Sequence, residues 1–299
     1  MIEVRNINKN FDAIKAIDDI SATIEEGHVF GLIGTNGAGK STFMRILCGV
    51  LKADSGEVLI DGESVYDNPA VKANVFYISD DQYFFKTGTP KDMLKFYMTY
   101  YNGFDGEKFK ELMKAFNLDI NRKVNTFSKG MKKQLSVICG VCAGTKYLLC
   151  DETFDGLDPV MRQAIKSLFA KEIADRGLTP IIASHNLREL EDICDHIGLL
   201  HKGGVLLSKD LDDLKCNLIK VQCVLPPEHD EYLMKTLEVL KMQRRGKLLN
   251  LTIRGKESEI LKMIEALDPI YIEALPLSLE EIFISETEVV GYDMQSIIL

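Results

Sequence analysis

Short apolar runs rich in β-branched residues alternate, over the first two thirds of the chain, with longer segments whose apolar positions recur every three or four residues. That alternation predicts an α/β domain. Met1-Ile2-Glu3-Val4-Arg5 alternates like a strand, and residues 17–24 and 29–33 read as two more, separated by the turn Glu25-Glu26-Gly27. The last of these runs into a glycine-rich loop, after which Phe43, Ile46, Leu47 and Val50 give residues 41–50 the spacing of a helix. Val58-Leu59-Ile60 before Asp61-Gly62 predicts a strand and tight turn, and residues 75–78 a buried strand.

A helical insertion, about residues 83–143, interrupts this pattern. Thr89 and Pro90 suit an N-cap and first helical position, where the missing proline N–H costs nothing. Met93, Leu94, Phe96, Tyr97, Tyr100 and Tyr101 follow on that helix, and a second amphipathic helix is expected over about 107–117. The α/β pattern resumes with a strand at 147–150, a helix after Pro159, a strand at 180–183 and a helix at 187–194. Residues 197–200 and 205–207 around Gly203-Gly204 read as a closing hairpin. The core domain is therefore expected to span 1–215. Short strands at 219–225, 248–253 and 270–274 with amphipathic helices predict a small second α/β domain over 218–299.

The formal net charge of -9 argues against a general affinity for nucleic acid or an anionic membrane surface. Crossing a bilayer takes roughly 18 to 20 apolar residues, and the most apolar stretch, 137–150, is broken by Lys146 and two glycines. No secretory leader pattern opens the sequence, so a cytoplasmic location is expected. Seven scattered cysteines fit buried thiols in a reducing compartment. Cys139-Gly-Val-Cys142 has neither a second pair nor a nearby histidine, so it reads as helix core.

Gly34-Thr35-Asn36-Gly37-Ala38-Gly39-Lys40-Ser41 fits GxxxxGK[ST] between a strand and a helix. Glycines there let successive backbone N–H groups converge on phosphates, and the helix presents its positive end to them. Lys40 adds a point charge on the β/γ oxygens, Ser41 a hydroxyl for Mg²⁺, and Thr42 can reach the α-phosphate. About 110 residues later, Tyr147-Leu148-Leu149-Cys150 buries a strand that delivers Asp151 and Glu152 at its C-terminal end, the edge where open parallel sheets bind ligands. Asp151 would hold Mg²⁺ directly or through water. Glu152, turned the other way, could polarise an attacking water.

Phe127-Ser128-Lys129-Gly130-Met131, just before a helix and about twenty residues ahead of Asp151, resembles the LSGGQ signature of ABC transporter ATP-binding subunits. In that family the serine and second glycine, here Ser128 and Gly130, grip the γ-phosphate held by an opposing subunit. Asp155-Gly156-Leu157-Asp158 resembles the D-loop, and His185, delivered by Ile181-Ile182-Ala183-Ser184, the switch histidine. Phe11 matches the aromatic that stacks on adenine. Where the family usually carries a polar residue reaching Mg²⁺ and water, this chain has Ser79-Asp80-Asp81-Gln82: spacing from the strand favours Asp80, and Gln82 needs a two-residue offset. The SKGM form and residues 276–284 (PLSLEEIFI) are similar to ATP-binding subunits of the ABC-2 export type.

The resemblance implies an ATPase using ATP and Mg²⁺, with Lys40, Glu152 and His185 as catalytic residues. It implies a second ATP-binding subunit, identical or a paralogue, and a separate transmembrane permease holding the chain at the inner face of the membrane. Tyr83, Phe84, Phe85, Phe96 and Tyr97 are the expected docking aromatics. Two other classes fit less well. An ABC ATPase acting on ribosomes or DNA usually pairs two cores or inserts long coiled coils, and a non-hydrolysing sensor would not need Glu152 and His185.

Overall fold

The computed structural model describes residues 1–210 and 218–282. The chain divides into two compact units, Met1–Ser208 and a second from Lys209 onward.

In the first unit, β1 (Ile2–Phe11), β2 (Ile14–Ile24), β4 (Ser55–Ile60) and β5 (Glu63–Ser64) form an antiparallel sheet in the order β2-β1-β4-β5, whereas β3 (Phe30–Ile33) belongs to another. The turn at residues 25–27 thus carries the chain from one sheet to the next. The second sheet runs β10-β9-β3-β8-β7-β6, with β6 at Val75–Ile78, β7 at Tyr147–Asp151, β8 at Thr179–Ser184, β9 at His196–His201 and β10 at Gly204–Asp210. Its neighbours from β6 through β9 pair in parallel.

Helix α1 (Lys40–Leu47) joins the two sheets: Phe43 and Leu47 share one buried cluster with Ile2, Ile7 and Ile20 of the antiparallel sheet and Leu149 and Ile181 of the parallel one. It ends before the expected Val50, which is 69% exposed, because Gly49 at φ 67° takes the left-handed conformation that terminates helices.

The insertion follows α2 (Pro69–Lys72) and comprises α3 (Pro90–Tyr100), α4 (Gly106–Ala115) and α5 (Lys129–Cys142). Thr89 closes a reciprocal cap on α3, its hydroxyl accepting from the Asp92 N–H while its own N–H donates to the Asp92 carboxylate. Cys139 and Cys142 are buried on α5, and burial pushes the Cys142 thiol up to about 12. The core continues in α6 (Pro159–Arg176), whose Glu172 receives Lys108 of α4 at 2.5 Å and Arg176 at 2.8 Å. Burial opposes ionisation of Glu172, but these two hydrogen bonds prevail and hold its carboxyl below the usual range. The Lys108–Glu172 bond fastens the insertion to the core.

Helix α7 (Leu187–Glu191) is shorter than the 187–194 read from periodicity. Cys194 packs so closely over Gly31 that a Cβ there would lie 2.7 Å from its sulfur. The chain must leave the helix to begin β9 beside β3.

The second unit holds an antiparallel sheet, β12-β13-β11-β14, of β11 (Leu218–Val224), β12 (Glu238–Arg245), β13 (Leu248–Arg254) and β14 (Tyr271–Leu275). Helices Asp230–Thr236 and Glu257–Glu265 contribute Leu233, Ile260 and Ile264 to a core with Val221, Cys223 and Leu251. Strand β12 has no counterpart in the periodicity reading, because its residues are mostly half-exposed at a sheet edge. Leu277, Leu279 and Ile282 are buried; Phe283 and Ile284 of the export-like segment lie outside the described residues.

Candidate functional site

The C-terminal ends of the parallel strands carry most of the residues singled out from sequence. Gly34 through Ser41 leave β3, and Thr35, Asn36 and Gly37 face solvent. Gly39 sits at φ 106°, and a Cβ on it would lie 2.5 Å from the Ala16 carbonyl oxygen, so glycine is required on both counts. The loop is braced by Ala38 N–H donating to the Thr35 carbonyl and by Gly203 N–H donating to the Ala38 carbonyl, both at 3.1 Å.

Lys40 is 6% exposed and folds back on its own loop, donating to the carbonyls of Gly34 at 2.7 Å and Thr35 at 3.3 Å. Its Nζ also lies 3.3 Å from Glu152 Oε1, and Glu152 Oε2 lies 2.9 Å from His185 Nδ1. One carboxylate therefore bridges the loop lysine and the histidine, leaving His185 Nε2 for another partner.

Glu152 occupies φ 49°, a left-handed conformation unfavourable for a side chain with a Cβ. Three contacts hold it: its N–H donates to the Ala183 carbonyl at 2.9 Å, and its carbonyl accepts from the Asp155 N–H and from Lys133 Nζ. Lys133 is fully buried and also lies 3.4 Å from Asp80 Oδ1. Asp80, more than half exposed, is thereby tied through one lysine to the backbone of Glu152. Lys133 was not among the residues singled out from sequence. Its spacing from Val137 and Gly140, both on the buried face of α5, is the signal that could have found it.

Asp151 is 2% exposed; its Oδ2 accepts from the Tyr77 hydroxyl at 3.1 Å, while its buried Oδ1 has no partner. Burial raises its pKa, opposed by hydrogen bonds from Ser41 and Tyr77. An orphaned carboxylate oxygen beside a serine hydroxyl fits a hard divalent cation, which takes oxygen donors and relieves the cost of burying charge. Gln82 also has a buried Nε2 without a partner; that atom is a donor and does not ligate a cation, so it does not decide between Gln82 and Asp80.

Ser128 caps α5, its hydroxyl accepting from the Met131 N–H at 3.2 Å, and is exposed. Lys129 pairs with Asp155 at 2.7 Å, joining the signature segment to residues 155–158. Phe11, at the end of β1, is 45% exposed with Lys9 Nζ 5.7 Å from its ring centre. Thr42 is half-buried on α1, and Gly130 faces Gly156, whose carbonyl would lie 3.4 Å from an added Cβ.

A model of the ABC transporter family matches residues 17–155. The chain is 32% identical over 286 residues to the ABC transporter ATP-binding protein YtrB of Bacillus subtilis, covering 96% of this chain and 98% of that protein. It is 28% identical over 218 residues to the bacitracin transport ATP-binding protein BcrA of Bacillus licheniformis, covering 72% of this chain and 71% of that one. Among solved structures, an ATP-binding subunit of an ABC transporter superposes with a TM-score of 0.66 at 26% identity, over 72% of this chain and 92% of the other.

Proposed function

This chain belongs to the ABC transporter family as an ATP-binding, ATP-hydrolysing subunit, and we propose that two copies close face to face, each nucleotide lying between the Lys40 loop of one and Ser128 of the other. The observation that carries this reading is the divided site. Lys40, Glu152 and His185 converge in one cluster, while Ser128 presents its helix end to solvent. Phe11 offers its exposed ring to the adenine. Lys40 moves from the Gly34 carbonyl to the β/γ-phosphates, which frees Glu152 to orient the attacking water while His185 Nε2 contacts the γ-phosphate. Ser41 and Asp151, with Asp80 or Gln82 nearby, would hold Mg²⁺, which would supply charge neutralisation for the phosphates. Closure follows binding, and hydrolysis resets it.

Among the described residues no helix is long and apolar enough to cross a membrane, so movement of a substrate requires a separate permease at the inner membrane face. The insertion supplies the docking surface: Tyr83 is 77% exposed, and Tyr83, Phe85, Phe96 and Tyr100 form a half-exposed chain of ring contacts. Export is the direction favoured by the SKGM signature.

The shared site is tested by mixing two inactive variants, Lys40→Ala and Ser128→Arg. A mixed dimer restores one complete site, so ATPase activity should reappear on mixing; persistent inactivity overturns pairing between copies of this chain. Lys133 positions Glu152 by donating to its carbonyl. Lys133→Met should lower kcat about tenfold or more, as expected for loss of a buried charged donor, with KM for ATP nearly unchanged. Lys133→Gln, which keeps a donor, should recover part of the loss. Equal changes in kcat and KM in both variants would assign Lys133 a structural role only.

A further inference from the structure

We propose that Glu25, His28 and His196 form a binding site for a divalent transition-metal ion, with Zn²⁺ as the best fit, at the end of the parallel sheet remote from the nucleotide loop. One ligand atom from each residue lies within 4.8 Å of the others. Zinc bonds of about 2.1 Å in a tetrahedral site put the donors closer together than this, and the exposed Glu25 and His28 can close the gap by side-chain rotation. Two imidazoles and one carboxylate suit a borderline ion such as Zn²⁺ better than Mg²⁺ or Ca²⁺, which favour all-oxygen sites.

The backbone holds these groups together. Val29 N–H donates to Asp195 Oδ2 at 2.7 Å, and the Val29 carbonyl accepts from the N–H groups of Asp195 at 3.0 Å and His196 at 3.2 Å. Phe30 then pairs in parallel register with His196. The 25–28 turn and the start of β9 are thus one rigid corner. The two imidazole rings meet at 69° with centres 5.1 Å apart, so neither ring stacks over the other's nitrogens.

Asp195 Oδ2, which accepts from the Val29 N–H, lies 3.7 Å from His28 Nδ1, beyond hydrogen-bond reach but near enough that a small rotation of the exposed His28 ring would set one nitrogen on the carboxylate and the other toward a metal. Glu26 is engaged elsewhere, with Lys146 at 2.8 Å, which leaves Glu25 as the acidic donor of this turn. Because β3 begins at Phe30 beside this corner and ends at Ile33 before the phosphate loop, an ion here clamps the first sheet's exit to β9 without entering the nucleotide site.

The test is calorimetric titration of the full, nucleotide-free chain with Zn²⁺, followed by zinc-edge X-ray absorption. One site of low-micromolar affinity is expected, with a first shell of nitrogen and oxygen that includes two imidazoles. His28→Asn and His196→Asn should each weaken it about tenfold or more, and Asp195→Asn, which keeps an acceptor for Val29, by about tenfold. Lys40→Ala should bind Zn²⁺ unchanged. Absence of micromolar binding, undiminished binding in the His28/His196 double variant, or sulfur in the first shell would each overturn the assignment.

Discussion

Glu152→Gln is expected to bind ATP at least as tightly as the unaltered chain, accumulate a closed dimer, and hydrolyse ATP about 10²- to 10⁴-fold more slowly, the range contributed by a positioned general base. Both halves of this expectation follow from the Glu152 carboxylate. It bridges Lys40 and His185 at 3.3 and 2.9 Å, so in the proposed site it would compete with the γ-phosphate for the same two partners and repel it by charge. A neutral amide removes that competition while retaining the shape of the side chain. The amide cannot take up a proton from water as a carboxylate does, so hydrolysis stalls after closure. Nucleotide-dependent dimerisation by size-exclusion chromatography, read beside phosphate release, separates the two effects. Ordinary turnover in Glu152→Gln would remove this residue from the water-activating role.

Lys40→Ala should weaken ATP binding about 10- to 100-fold, from the loss of a charge-assisted contact worth about 1.5–3 kcal/mol, and abolish measurable turnover. Little loss of stability is expected in the nucleotide-free chain, because the donors Lys40 supplies to the Gly34 and Thr35 carbonyls can be replaced by water entering from the exposed side of the loop. Removing Lys40 also frees Glu152 from its ion pair. Equilibrium binding of a fluorescent ATP analogue measures the first effect and thermal unfolding the second. Unchanged affinity would show that the loop's backbone N–H groups hold the phosphates alone.

The phosphate loop was legible because its chemistry is local: a strand, glycines at fixed offsets, and a lysine and serine at the head of a helix need only their own neighbours in sequence. The strand ending in Asp151-Glu152 was legible for a similar reason, its apolar run demanding burial and its acids lying just beyond. Helix ends were less so. Val50 and Cys194 fit a helical spacing, yet Gly49 and the close packing of Cys194 on Gly31 end those helices sooner. Strand β12 escaped because at a sheet edge most of its residues are half-buried, Val239 and Met242 packing on the core, so little alternation marks it.

From residue order alone came the nucleotide-binding loop, the α/β core, the separate second unit and the family to which they belong. Tertiary structure decided what those residues do to one another. It set Glu152 in a left-handed turn between Lys40 and His185, buried Lys133 so that it links Asp80 to that turn, and left one oxygen of Asp151 without a partner. The physical reason is that local spacing governs which segment forms a strand, loop or helix. The distances between side chains separated by 33 to 112 residues, as for His185 and Lys40 about Glu152, are settled only when the parallel strands pack side by side and exclude water.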